Sequence, residues 1–369
     1  MLAKILNYIN TSEKRINIIS LFLAIVTGLL FGLVIMIIVS PRDSFPAFLT
    51  ILTGGFRDIG RVLEIATPLI FTGLSVGFAF KTGLFNIGAP GQLMIGAISA
   101  IYIGVRVTFL PAPIHWIVAV LCAGLAGALW GAIPGILKAY RNVNEVVATI
   151  MMNYISLYFV SYAVEYQLYD LKNARSLTVA KSAQLPYLGL DKIFTPNTVN
   201  FGFILAIIAI VIIYIILEKT TFGFELKAVG FNQHSSKYAG VNDKKGIIMA
   251  MLISGLLSGL AGAAIYLTDS FGRHLETTEI LIAEGFNGIP VALIGFSNPI
   301  GIFFSAIFIG FIELGGFYMQ RYDLAPEIID IIIASIIYFS ALLILFRGII
   351  IRLLKHNRFK HKKREEEDG

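Results

Sequence analysis

Ile18-Ile19-Ser20-Leu21-Phe22-Leu23-Ala24-Ile25-Val26-Thr27-Gly28-Leu29-Leu30-Phe31-Gly32-Leu33-Val34-Ile35-Met36-Ile37-Ile38-Val39 runs for 22 residues without a charge. As a helix it reaches about 33 Å, enough for a hydrocarbon core of about 30 Å. It is too long for the apolar region of a signal peptide, and Ser40-Pro41-Arg42 offers no small-x-small cleavage site, so it reads as a retained anchor. Further apolar segments occur at about 63–80, 93–110, 114–137, 146–164, 201–217, 246–267 and 326–347. Between residues 284 and 319 a Gly/Pro-interrupted stretch breaks at Asn298-Pro299, which gives a short eighth helix and a ninth from Pro299. The expectation is an all-α polytopic membrane protein of about ten transmembrane helices.

Composition agrees. Of 369 residues, 57% are apolar and 14% charged, against about 25% charged in a soluble domain. With a mean hydropathy of +0.80, this excludes a soluble two-domain enzyme, a disordered scaffold and a coiled coil. An even number of spans puts both termini on one side. With the ends inside, the inner segments carry 19 basic residues and the outer segments 9, so the positive-inside rule places both termini in the cytoplasm. The division is then a cytoplasmic N-terminus at 1–16, a membrane domain at 17–347 and a tail at 348–369. That tail ends a run of eight Lys or Arg between Arg347 and Arg364, before Glu365 to Asp368. Directly after an apolar span, such a run is a topogenic tail near anionic lipid rather than a nucleic-acid site. Residues 165–200 are long enough for a small external cap, and 46–60 for an outer interfacial helix.

Several chemistries are missing. There is no Gly-Lys dipeptide and hence no Walker A loop, and no His-x-x-x-His pair. The lone Cys122 excludes an intrachain disulfide. No catalytic residue and no metal ligand set is expected. Ionisable groups within spans are Glu64, Arg106, Glu313 (the deepest acid) and Asp330, a thin set for a carrier driven by an ion gradient. The polar residues that interrupt the spans are mainly amides, Asn86, Gln92, Asn153 and Asn287, with Phe85, Tyr154 and Phe286 beside them. Two readings stand. An amide in lipid needs a partner, so these are helix-helix fasteners; or, with the aromatic faces, they line a path for an uncharged, flat, hydrogen-bonding solute. The pathway candidates are Phe85, Asn86, Gln92, Asn153, Tyr154, Asn287 and Glu313.

A weak repeat joins Leu84-Phe85-Asn86-Ile87-Gly88, with Met94-Ile95-Gly96 after it, to Gly285-Phe286-Asn287-Gly288, with Leu293-Ile294-Gly295 after it. The copies lie five helices apart, so the second is inverted, as in transporters with a midplane pathway. Residues 218–245 form an inward loop with a helix-capable run from Phe224 to Val229. Gly230 can end that helix through a positive φ, and Asn232 can cap or turn the chain beyond it. A second short helix from Ser235 to Tyr238 would close at Gly240.

Four ordered stretches carry a family resemblance. Thr82-Gly83-Leu84-Phe85-Asn86-Ile87-Gly88-Ala89-Pro90-Gly91-Gln92-Leu93 resembles the Gly-rich segment after the second helix in ABC importer permeases of the branched-chain amino acid/ribose superfamily, the nucleoside-type members above all. Asn144-Glu145-Val146-Val147-Ala148-Thr149-Ile150-Met151-Met152-Asn153-Tyr154-Ile155 resembles their fifth-helix entry. Leu226-Lys227-Ala228-Val229-Gly230-Phe231-Asn232, then Tyr238-Ala239-Gly240, is similar to their cytoplasmic coupling loop, with Ser235-Ser236 where paired alanines are common. Ala292-Leu293-Ile294-Gly295 with Asn298-Pro299-Ile300-Gly301 matches a late segment. Pro90 stands where an acidic residue is more usual. The resemblance spans about 60–345 and implies an inverted-repeat core of a type II ABC importer permease in the cell membrane, translocating nucleosides. It implies an ATPase-coupling surface at Ala228, Gly230, Phe231, Asn232, Ser235, Ser236 and Gly240. It also implies a separate ATP-binding subunit holding ATP and Mg, a second paralogous permease, and an external substrate-binding (lipo)protein. This chain itself would hold no cofactor. A ribose-like sugar permease and a secondary solute carrier are the alternatives.

Overall fold

The computed structural model describes residues 2–194, 199–268, 273–276 and 280–342; the basic and acidic tail lies outside them. Two compact units emerge, Met1–Gly54 with Gly315–Gly369, and Gly55–Leu314.

In the first unit α1 (Leu2–Val39) contains the opening anchor, and α2 (Ser44–Gly54) comes after a short turn. Helix α13 (Ile328–Ala341) lies along α1, close enough that a Cβ on Gly28 would sit 2.6 Å from the Ile336 backbone.

The second unit holds α3 (Ile59–Lys81), α4 (Ala89–Arg106), α5 (Ala112–Arg141), α6 (Glu145–Ala163), α7 (Phe201–Lys219), α8 (Thr221–Phe231), α9 (Gln233–Tyr238), α10 (Asp243–Tyr266) and α11 (Ala283–Ile294). Most of α12 (Pro299–Met319) belongs to it as well, and that helix begins at the proline where the sequence places a helix start. The helix starts are written locally. The side chains of Asp58, Asn144, Asn200, Thr220, Asn232 and Asn242 each accept a hydrogen bond from a backbone N–H of the first turn that they cap. Helices α4 and α5 have no such cap; proline near their first positions favours the start by pre-setting φ.

The centre of this unit is α3, α4, α5 and α10 packed together, with α11 against α3. Helices α5 and α10 meet at backbone distance: a Cβ on Gly127 would sit 2.4 Å from the Gly255 carbonyl oxygen. In a membrane, where burial from lipid drives little, such close contact of small residues is what holds helices together.

Beyond α6 a five-residue π-helical turn (Val164–Leu168) leads to a hairpin of β1 (Tyr169–Asp170) and β2 (Arg175–Ser176), in register Tyr169↔Ser176. Buried His115 of α5 fastens the next turn, with ring nitrogens 2.8 Å from Ser182 Oγ and 3.0 Å from the Ile103 carbonyl. The described part of residues 165–200 is thus folded into short turns and a hairpin. Among the described residues seven helices are long and apolar enough to cross a membrane: Ile19–Val39 of α1, α3, α5, Glu145–Leu168, α7, α10 and α12. Helices α4, α11 and α13 do not reach that standard.

Candidate functional site

Helix α3 ends at Lys81, and Gly83 turns the chain with φ +72°. The turn delivers Asn86 into the interior, where it is 1% exposed. An amide buried there must satisfy two donors and an oxygen. Asn86 Nδ2 donates to Gln92 Oε1 (3.0 Å) and to Ser254 Oγ of α10 (2.7 Å). Its Oδ1 accepts from Gly88 N (2.9 Å) and Gln92 Nε2 (3.3 Å). Ser254 and Ser258 reach Ser75 of α3 at 2.8 Å each. From α6, Asn153 accepts from Gly91 N and donates to the Ile87 carbonyl, both at 3.0 Å. One buried polar hub therefore ties α3, α4, α6 and α10 to the 82–88 turn.

The sequence singled out the amides of this hub but not Ser75, Ser254 or Ser258. Ser254 and Ser258 are four apart on the small-residue face of α10, and that spacing is the signal that identifies them.

The other pathway candidates lie elsewhere. Phe85 is 39% exposed and stacks on Phe80, ring centroids 5.2 Å apart and almost parallel. Tyr154 is half exposed on α6, on a face shared with Met151, Ile155, Tyr158 and Tyr162. Asn287 of α11 donates to Glu313 of α12 at 3.1 Å, a separate, partly buried pair. Before it, Arg273 pairs with Glu284 in the first turn of α11. Burial works to lower the Arg273 pKa, the Glu284 charge outweighs it, and the guanidinium ends above its usual value.

Residues 218–245 make a compact knob. Thr220 caps α8, Asn232 caps α9 by accepting from Ser235 N (3.0 Å), and Gly240 closes the turn with φ +84°. Lys227 pairs with Glu218 at the end of α7 (3.2 Å), and Gln233 donates to Asp243 of α10 (2.9 Å). Ser236 is buried and bonds the Gln233 carbonyl, while Ser235 faces out. Phe231 and Tyr238 are more than 90% exposed, large apolar surfaces of the kind that mark a protein contact.

Gly230 corrects one expectation. Helix α8 runs through it to Phe231, and its φ is not positive. What requires glycine is space: a Cβ would lie 2.5 Å from the Lys81 carbonyl oxygen and 2.9 Å from Gly83 N. The knob thus rests, backbone on backbone, on the turn that carries Asn86. No local helix rule could foresee this, because the obstacle is some 150 residues away in sequence.

Residues 59–341 match the family described as branched-chain amino acid transport system / permease component. The guanosine ABC transporter permease protein NupP of Bacillus subtilis (strain 168) is 40% identical over 86% of this chain and 91% of its own. The nucleoside ABC transporter permease protein NupB of Lactococcus lactis subsp. cremoris (strain MG1363) is 35% identical over 89% and 92%. The glucose ABC transporter permease protein TsgB13 of Haloferax volcanii is 31% identical over 82% and 80%. No solved structure matches.

Proposed function

We propose, from the premise that this chain belongs to the branched-chain amino acid transport system / permease component family, that it is the membrane-embedded permease of an ABC importer for nucleosides. The observation that carries the substrate class is the 40% and 35% identity, over most of both chains, to permeases named for guanosine and nucleosides.

The finer parts of the reading are proposals with their own support. The α8–α9 knob docks a separate ATPase, which holds ATP and Mg; its exposed Phe231 and Tyr238 would seat in that subunit. Movement of the knob would reach the Asn86 hub through the Gly230–Gly83 contact. Phe85 and Tyr154 offer exposed rings on which a flat base can stack, Asn287 and Glu313 offer hydrogen-bonding groups, and Asn86, Gln92 and Asn153 hold the wall behind them. A second permease and an external binding protein complete the assembly. Counting α4, α11 and α13 with the seven long helices gives ten crossings with the termini in the cytoplasm. For the inverted repeat the support is that the segments carrying the copies meet: a Cβ on Gly285 would sit 2.4 Å from the Cα of Pro90, which lies between the two parts of the first copy.

The test is uptake of labelled guanosine, adenosine, uridine and ribose by cells lacking this chain and by the parent strain. Nucleoside uptake should fall to background while ribose uptake is unchanged. Loss of sugar uptake with intact nucleoside uptake overturns the reading in favour of a sugar permease.

A further inference from the structure

A cavity of about 540 Å³ lies between α4, α5 and α6, away from the hub. Its wall includes Ser99, Tyr102, Cys122, Leu125, Leu129 and Phe159. It is the size of pockets that enclose a whole small ligand, about 300–1,000 Å³, yet it is poor ground for a polar one. The Ser99 hydroxyl is already donated to the Ile95 carbonyl of its own helix at 2.8 Å, and nearly all the remaining wall is hydrocarbon or ring. Leu125, Leu129 and Phe159 are more than half exposed, so the cavity opens sideways from the helices rather than along a central path.

The charge at its end selects the occupant. Ser99, Tyr102, Ile103 and Arg106 keep the 3–4 spacing of one helix stripe, so Arg106 crowns the groove one turn beyond Tyr102. Arg106 is exposed and donates to the Gln167 carbonyl, itself part of the rim. Among the described residues no carboxylate pairs with it. Tyr162 near the end of α6 and Tyr166 in the π-helical turn after it, both exposed and with rings 4.5 Å apart, lie beyond Phe159, as aromatic residues do at headgroup level. We propose that this groove binds an acidic phospholipid, one acyl chain along Tyr102, Leu125, Leu129 and Phe159 and the headgroup phosphate on Arg106. Helix α4 starts six residues after Gly83, on which the knob rests, and ends at Arg106, about 27 Å further on. The lipid therefore comes from the leaflet opposite α8 and α9.

The photoreactive residue p-benzoylphenylalanine placed at Leu125, in the full chain within intact producing cells, tests this directly. A second copy of the experiment places it at Ile207, an exposed position on α7 outside the groove. Mass spectrometry of the crosslinked peptide then identifies the lipid class. The groove position should yield adducts enriched in phosphatidylglycerol or cardiolipin about fivefold over the α7 position, the preference of one basic residue near anionic lipid. Arg106→Gln should erase that enrichment and Arg106→Lys retain most of it. If Arg106→Gln leaves too little protein, Ala126→Phe, which fills the groove without touching the charge, should lower adduct yield at Leu125 while sparing Ile207. Equal lipid composition at the two positions overturns the proposal, as does capture of a protein chain at Leu125 or protection of Leu125 by guanosine.

Discussion

At the scale of single residues, the hub and the knob give opposite expectations for superficially similar changes. Asn86→Leu strands the Gln92 amide and the Gly88 N–H in a dry interior, while Ser254 keeps its bonds to Ser75, at about 1–3 kcal/mol for each group left unpaired. The expected outcome is a several-fold fall in the amount of chain in the membrane, read by immunoblot, with uptake falling in proportion. Tyr154→Ala removes a half-exposed ring and should leave the amount unchanged while raising the nucleoside concentration for half-maximal uptake. If Asn86→Leu is abundant but inactive, the amide acts on solute and not on the fold. Gly230→Ala is the sharpest test. In an open helix it would stabilise by about 1 kcal/mol; here its methyl meets the Lys81 carbonyl oxygen at 2.5 Å. It should abolish uptake and co-purification of the ATPase while insertion stays normal. Gly240→Ala, where nothing lies within 4 Å, bears only the strain of a positive φ, about 1–2 kcal/mol, and should retain partial uptake.

Elements show which parts of the molecule are written locally. The caps of α3, α6, α7, α8, α9 and α10 are Asx or Thr side chains on their own first turns, and Pro299 opens α12. Such signals act within four residues, so the segmentation of the chain and the two-helix form of 218–245 were legible in the sequence. The amides at 86, 92 and 153 were legible as buried polar groups needing partners, but the partners were not, since Ser75 and Ser254 are 179 residues apart. The same limit hid the reason for Gly230. Short or enclosed elements blurred as well: α11 is a 12-residue helix interrupted by Pro290, and periodicity cannot separate such a segment from half of a longer one. A prediction about Asn232 belongs to this scale. Asn232→Ala removes the side chain that accepts from Ser235 N, costs about 1 kcal/mol of α9 stability, and should weaken ATPase co-purification partially, with Asn232→Asp restoring it. An unchanged yield of the ATPase would show that α9 is not part of the docking surface.

For the whole molecule the question is what drives transport. A carrier that couples solute to protons or sodium needs a connected series of intramembrane carboxylates to take up and release the ion. Here Glu64 and Glu313 lie in the second unit, Asp330 opens α13 in the first, and the central packing of α3, α4, α5 and α10 is held by amides, hydroxyls and glycines. An amide hub neither binds nor releases a proton at any physiological pH, so it cannot serve as an ion relay. On the proposed reading the driving force enters mechanically, through the knob that rests on the Gly83 turn. Uptake measured in energised cells should therefore survive a protonophore while cellular ATP is held constant, and should stop when ATP is drained with the membrane potential maintained. It should also vanish when the ATPase carries a Walker A lysine substitution, although this chain remains in the membrane. Collapse of uptake with the protonophore at constant ATP would place the coupling ion inside these helices and overturn the importer reading together with the role given to α8 and α9.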